Sequence, residues 1–195
     1  MNFLAHAYLS GDNKKILLGN FIGDFIKGRQ ALIKFDNEII KGVELHRAID
    51  EFTDNHLIVH ESKDRLRPKY RHYAAVIVDV FYDHFLAAHW KEFHHRSLED
   101  FASDTYSTIE SFSPILPLRF KQMFPYMING NWLVNYAKIS GVHRALSGMA
   151  SRSPYDSKME HATEDLENHY KEFNDEFERF FPELKQFSEE WVNEL

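Results

Sequence analysis

The chain contains no cysteine. Disulfides and thiolate zinc sites are thereby excluded, and any metal has to be held by histidine, aspartate or glutamate. A long hydrophobic run is also missing. The apolar stretch at the start, residues 1–11, is short, includes His6 and has no basic lead-in. It reads neither as a signal peptide nor as the roughly 20 apolar residues of a membrane span. A cytoplasmic protein without membrane insertion is the default expectation. Positive charge is scarce: 23 Lys+Arg stand against 30 Asp+Glu, for a formal net charge of −7. A general nucleic-acid binder needs a broad basic surface to neutralise phosphates, so that class is excluded too. Nor does any repeat or Gly/Ser linker divide the chain.

What remains is a supply of core-forming residues. Hydrophobic residues make up 44% and aromatics 15%, with 17 phenylalanines, in a chain of 195 residues. That length suits one domain with a large aromatic core. Apolar residues recur at helical spacing almost throughout, and the alternation of strands is nearly absent. The expectation is an all-α, single-domain irregular helical bundle over residues 1–195, with roughly seven to nine helices. A helix is predicted over residues 14–27, closed by Gly28. Another is capped by Asp36 or Asn37 and runs to about Asp54. Residues 63–73 carry Pro68 and should bend, whereas residues 74–90 form the most apolar helix. Ser97-Leu98-Glu99-Asp100 resembles a capping box opening a helix towards Phe112. Ser153-Pro154 is a start signal for a long acidic helix to Phe180, with Pro182 restarting a shorter one.

Three segments place polar groups where a plain core would not. In Gly19-Asn20-Phe21-Ile22-Gly23-Asp24-Phe25, Asp24 is flanked by large apolar residues and is expected to be buried, in a salt bridge or on a cation. Gly19 and Gly23, four apart, make a flat stripe for close approach. In Leu45-His46-Arg47-Ala48-Ile49-Asp50-Glu51-Phe52-Thr53-Asp54, the residues His46, Asp50 and Asp54 repeat every fourth position and share a helical face. Imidazole and carboxylate one turn apart can chelate manganese, iron or zinc, and otherwise form a surface pair. Arg47 faces sideways, where its fork suits a phosphate. In Val78-Asp79-Val80-Phe81-Tyr82-Asp83-His84-Phe85, two acids and a histidine interrupt a helix too hydrophobic for the surface; they bind an ion or form an internal polar network. His6 is either a ligand or catalytic group or a satisfied core histidine. Lys63, Arg65, Arg67, Lys69 and Arg71 crowd into nine residues. That stretch is a solvated face or a docking patch for an acidic partner.

At these segments the chain resembles the acyl carrier protein phosphodiesterase family. The matching strings are Met1-Asn2-Phe3-Leu4-Ala5-His6, Leu18-Gly19-Asn20 with Gly23-Asp24-Phe25, Leu45-His46-Arg47-Ala48-Ile49-Asp50 with Phe52-Thr53-Asp54, and Asp79-Val80-Phe81-Tyr82-Asp83-His84-Phe85-Leu86. Asn131-Trp132-Leu133 and Phe180-Phe181-Pro182 match more loosely. The resemblance implies a fold similar to the helical His–Asp metal phosphohydrolases. It also implies hydrolysis of the phosphodiester joining 4′-phosphopantetheine to a serine of holo acyl carrier protein, with manganese preferred over iron, magnesium or zinc. Acyl carrier proteins are acidic, which would give Arg65, Arg67, Lys69 and Arg71 a docking role. On this reading Asp24, His46, Asp50 and Asp83 gather one or two divalent ions, with Asp79 and His84 as further ligands or as partners that support the ligands. Arg47 would stabilise phosphoryl charge. Asp54, His6 or His84 would carry protons, the spacing not assigning which. Two other readings are a phosphohydrolase for a nucleotide or other small phosphoester, and a non-catalytic helical binding module.

Overall fold

A computed structural model describes residues 1–28 and 30–194. Among them the chain is helical, with 3-10 turns between helices and no strand. The helices in order are α1 (Phe3–Tyr8), α2 (Lys14–Phe21), α3 (Asn37–Asn55), α4 (Leu57–Tyr70), α5 (Ala74–Ala88), α6 (Trp90–Phe93), α7 (Leu98–Ser111), α8 (Leu118–Asn129), α9 (Trp132–Asn135), α10 (Ile139–Arg152), α11 (Ala162–Asn168) and α12 (Tyr170–Asn193). Seven of them reach 12 residues or more, and the rest are pieces of 4 to 8 residues. No helix among the described residues is long and apolar enough to cross a membrane.

The most apolar segment becomes the central helix. α5 buries Ile77, Val78, Val80, Phe81, Tyr82, Phe85 and Leu86 around its circumference. α12 is amphipathic instead and lays Phe173, Phe177, Phe180, Phe181 and Leu184 against the core. The Phe81 and Phe173 rings meet edge to face at 5.1 Å, and Phe177 stacks on Phe181 at 5.0 Å. Caps fall where the sequence places them: Asp36 accepts the Ile39 N–H at 3.1 Å and Ser97 accepts the Asp100 N–H at 3.1 Å.

Four boundaries differ from expectation. α2 stops at Phe21, and a 3-10 turn over Gly23–Phe25 replaces its predicted last turn. Pro68 lies inside α4, which runs on to Tyr70 before Arg71 turns to φ 54°. Pro182 lies inside α12 and restarts nothing. A proline inside a helix costs about 3 kcal/mol, but the five apolar side chains flanking it contribute about 1.5–3 kcal/mol each on burial. Ser153-Pro154 starts no helix, because the Ser153 hydroxyl is bonded to that of Tyr73 at 2.6 Å and Ser153 ends α10 instead.

The crossing of α2 and α3 sets up the site. A Cβ on Gly19 would lie 2.1 Å from the Ile39 carbonyl oxygen, and one on Gly42 would lie 2.2 Å from that of Ile16. Only glycine lets the two backbones come this close. The contact brings Asn20 on α2 beside His46 on α3.

Candidate metal centre

Three helices contribute one side chain each or two. α1 carries His6, α2 carries Asn20, and α3 carries His46 with Asp50 a turn later. Asn20 is wholly buried and its amide orientation is fixed, since Nδ2 donates to the His6 carbonyl at 2.8 Å and to Ser10 Oγ at 2.9 Å. Its Oδ1 therefore accepts from His6 Nδ1 at 2.8 Å. The main-chain carbonyl of the same residue accepts from His46 Nδ1, also at 2.8 Å. With both Nδ1 protons engaged, each ring turns Nε2 to the same point. The rings stack with centroids 4.0 Å apart, and each Nε2 lies 3.2 Å from a different oxygen of Asp50. His6, His46 and Asp50 thus offer two nitrogens and an oxygen within 4.8 Å of one another.

The charge pattern is unbalanced. His6 Nε2 is buried and has no hydrogen-bond partner, for its approach to Asp50 Oδ1 lacks the alignment of a bond. Burial and the neighbouring His46 push the His6 pKa down to about 4. At neutral pH its Nε2 lone pair consequently faces a carboxylate oxygen. Burial also acts to lower His46, but Asp24 and Asp50 outweigh it and lift that ring to about 9. Burial would raise Asp50, yet His46, His6 and the Met1 ammonium hold it well below the usual carboxylate range. That ammonium sits between Asp79 at 3.0 Å and Asp50 at 3.6 Å, separating two carboxylates that would otherwise repel. Burial acts to depress it, but the two acids outweigh burial and raise it above its ordinary value, to about 10.

A cation fits this donor set. Metal-bound histidines keep the second ring nitrogen on a carbonyl or carboxylate, which fixes the tautomer and aims the lone pair. Both imidazoles here are held that way, by one residue. An unpartnered buried nitrogen opposite a carboxylate is otherwise an uncompensated cost. Three protein ligands with an open side are the pattern of catalytic rather than structural sites.

The remaining predicted residues are dispersed. Asp24 is exposed, with 74% of its side chain open to solvent, because the 3-10 turn swings it outward; its Oδ1 still reaches His46 Nε2 at 3.4 Å, and that bond lowers its pKa. The expectation of burial is corrected there. Asp79 holds the Met1 ammonium, and burial raises its pKa. Asp83 is fully buried but is not in the cluster. Its carboxylate accepts the N–H groups of Leu4 at 2.7 Å, Ala5 at 3.2 Å and Asn2 at 3.3 Å, which caps the N-terminus of α1. Burial lifts it to about 7 against the pull of those amides. His84 is likewise elsewhere: Nδ1 donates to the Tyr136 carbonyl at 2.7 Å and Nε2 meets the Tyr170 hydroxyl at 3.0 Å, with burial lowering its pKa.

Arg47 is exposed and touches the Ile26 carbonyl at 3.3 Å, beside the turn that carries Asp24. Asp54 pairs with buried Lys63 at 2.7 Å. Most of the basic stretch meets acids of its own chain: Arg65 forks onto Glu176 at 2.7 and 2.9 Å, Arg67 bonds Asp64, and Lys69 meets Asp165 at 2.8 Å. Arg71 alone of the five has no acidic partner among the described residues. Sequence reasoning assigns no role to Asn20 or Ser10. The available signal is a carboxamide set among Leu18, Phe21 and Ile22, which burial obliges to find partners.

The chain matches the family model for acyl carrier protein phosphodiesterase over residues 1–184. Similar proteins include the acyl carrier protein phosphodiesterase of Klebsiella pneumoniae strain 342, 35% identical over 97% of this chain and 98% of its own. Those of Enterobacter sp. strain 638 and Photorhabdus laumondii are 34% and 32% identical, over 94% and 97% of this chain and 95% and 96% of theirs. No solved structure matches the chain. A helical protein with these relatives over almost its whole length is an enzyme of the phosphoric diester hydrolase class. It belongs to the acyl carrier protein phosphodiesterase family.

Proposed function

We propose that the chain catalyses metal-dependent hydrolysis of the phosphodiester between 4′-phosphopantetheine and a serine of holo acyl carrier protein. His6, His46 and Asp50 hold a divalent cation. The observation that carries this is the buried, unpartnered Nε2 of His6, aimed at Asp50 beside the matching Nε2 of His46. Two imidazoles and a carboxylate suit manganese, iron or zinc, and manganese is the ion we assign. When bound, such an ion polarises phosphoryl oxygens and acidifies water.

The residues of the chain do the rest. Asn20 orients both rings and excludes the wrong tautomers. Asp24, exposed and 3.4 Å from His46 Nε2, is the carboxylate on the open side and accepts a proton from the attacking water. Arg47, anchored next to the same turn, swings its guanidinium onto the phosphate. Water adds to phosphorus, the bond from phosphorus to the serine oxygen breaks, and that oxygen takes up a proton. The products are apo acyl carrier protein and 4′-phosphopantetheine.

The test is release of 4′-phosphopantetheine from holo acyl carrier protein by purified protein supplied with Mn²⁺. Turnover that vanishes with chelator and in His46→Ala and Asp50→Ala is expected. Absence of release by the metal-loaded protein removes the substrate assignment, and full activity in both variants removes the metal site.

A further inference from the structure

The chain carries 30 acidic residues, yet residues 111–155 contain none. Within that stretch lie Arg119, Lys121, Lys138, Arg144 and Arg152, all exposed. Lys121 bonds only the Pro114 carbonyl, at 3.1 Å, and no carboxylate of the described residues pairs with any of the five. The contrast with Arg65, Arg67 and Lys69 is direct, since those charges are already neutralised by Glu176, Asp64 and Asp165. Large apolar side chains are exposed in the same stretch: Leu118 and Tyr126 at 72% and Tyr155 at 73%. Arginine and tyrosine together on an open surface are the composition of protein–protein contact cores.

This stretch borders the His–Asp cluster on two sides. Phe120 on α8, next to Arg119, packs edge to face on Phe25 at 5.2 Å, and Phe25 belongs to the turn that presents Asp24. On the other side the Tyr136 hydroxyl accepts from Asn2 Nδ2 at 3.1 Å, one residue from the ammonium that bridges Asp50 and Asp79. Tyr136 also lines a cavity of about 160 Å³ walled by Trp132 and Met149, with Arg144 and Arg152 at its edge.

We infer that the acid-free segment carrying α8, α9 and α10 supplies the docking surface for the acidic carrier protein, with Arg119, Arg144 and Arg152 as its principal contacts. The inference rests on the reading of the substrate given above, and it moves the docking role away from Arg65, Arg67 and Lys69. A carrier protein seated there presents its modified serine to the opening at Asp24. Charge complementarity of this kind governs encounter rate and salt dependence more than the chemical step.

Binding and turnover separate the two claims. Apo acyl carrier protein, which has no scissile bond, is titrated into wild type and into Arg119→Glu/Arg144→Glu/Arg152→Glu at low and high salt. The variant is expected to bind roughly tenfold or more weakly at low salt, with a flatter salt dependence. Its turnover of bis(p-nitrophenyl) phosphate and its thermal melt should match wild type. The Arg→Gln triple variant at the same positions should show a smaller loss of the same sense, and serves if the reversed one does not fold. Unchanged affinity in the variants, or a wild type that does not bind apo acyl carrier protein, overturns the docking surface. If wild type binds through this face but releases no 4′-phosphopantetheine from the holo form, the proposed reaction fails while the surface stands.

Discussion

Asn20 is the residue through which the metal centre can be tested most cleanly, because one side chain and one carbonyl of it serve two different histidines. Asn20→Leu keeps the approximate shape and keeps the main-chain carbonyl, so the tether to His46 Nδ1 survives. What goes is the acceptor for His6 Nδ1. The His6 carbonyl stays satisfied, because Ser10 Oγ donates to it at 2.6 Å. The buried hydrogen bond from His6 Nδ1 to Oδ1 is lost and that ring nitrogen is left without a partner, a cost of about 1–3 kcal/mol. At roughly 2–4 °C per kcal/mol for a chain of this size, the melting temperature falls by about 2–12 °C. The larger effect is on the metal. Freed from Asn20, the imidazole of His6 moves its proton to Nε2 and faces Asp50 as a donor, losing the lone pair a cation needs. Loss of such an orienting partner weakens metal binding by about 10–100-fold. The assay is thermal melting against Mn²⁺. At a Mn²⁺ level that stabilises wild type by about 2.7 kcal/mol, a variant weakened a hundredfold gains only about 0.4 kcal/mol. A variant that melts lower but gains as much from Mn²⁺ as wild type would refute the role of His6 as a ligand.

Further expectations follow from other contacts. A Cβ at Gly23 would lie 2.3 Å from His46 Cγ, so Gly23→Ala should displace that ring and cut turnover by about 10²-fold, read as kcat on a small diester in a still-folded protein. His84→Gln should leave that kcat near wild type, since His84 is engaged by Tyr136 and Tyr170 rather than by Asp50; a collapse of activity would restore it to the catalytic set. Burial lowers the His84 pKa below its unfolded value of 6.5, so its contribution to stability is present above that pH and lost as pH falls through the window beneath it. Wild-type denaturation should accordingly steepen below about pH 6.5, and the glutamine variant should show less of that slope. Arg65→Ala strands buried Glu176 and should cost about 3–5 kcal/mol in urea unfolding, far more than loss of an exposed docking charge.

The helical architecture was legible because it is local. Period, caps at Asp36 and Ser97, and the apolar density of α5 all sit within a few residues of what they determine. The pairing of His46 with Asp50 belongs to the same category, being one turn of one helix. Partners brought by folding were not legible. Asp83 has to find compensation, as its apolar setting implies, and finds it in the amide end of α1, some 80 positions away. Flanking phenylalanines argued that Asp24 is buried, and a switch from α to 3-10 geometry rotated it outward instead. The basic stretch around Arg65 drew attention by composition alone, while the acids that neutralise Arg65 and Lys69 lie on α11 and α12. At Pro182 a continuous apolar face outweighs the missing N–H, so the proline does not interrupt α12.

The smallest of the early helices has an outsized consequence. α1 is only 6 residues long, well under the roughly 12–15 that an isolated helix needs to persist in water. Its shape is lent to it by the Asp83 carboxylate gripping its leading amides. His6 therefore meets the other two donors only while the start of the chain is seated on α5. A chain whose first turn is loose keeps a two-point His46–Asp50 grip and lacks the third arm. Tight manganese capture would then act as a latch on completed assembly, marking molecules in which the opening residues have come home.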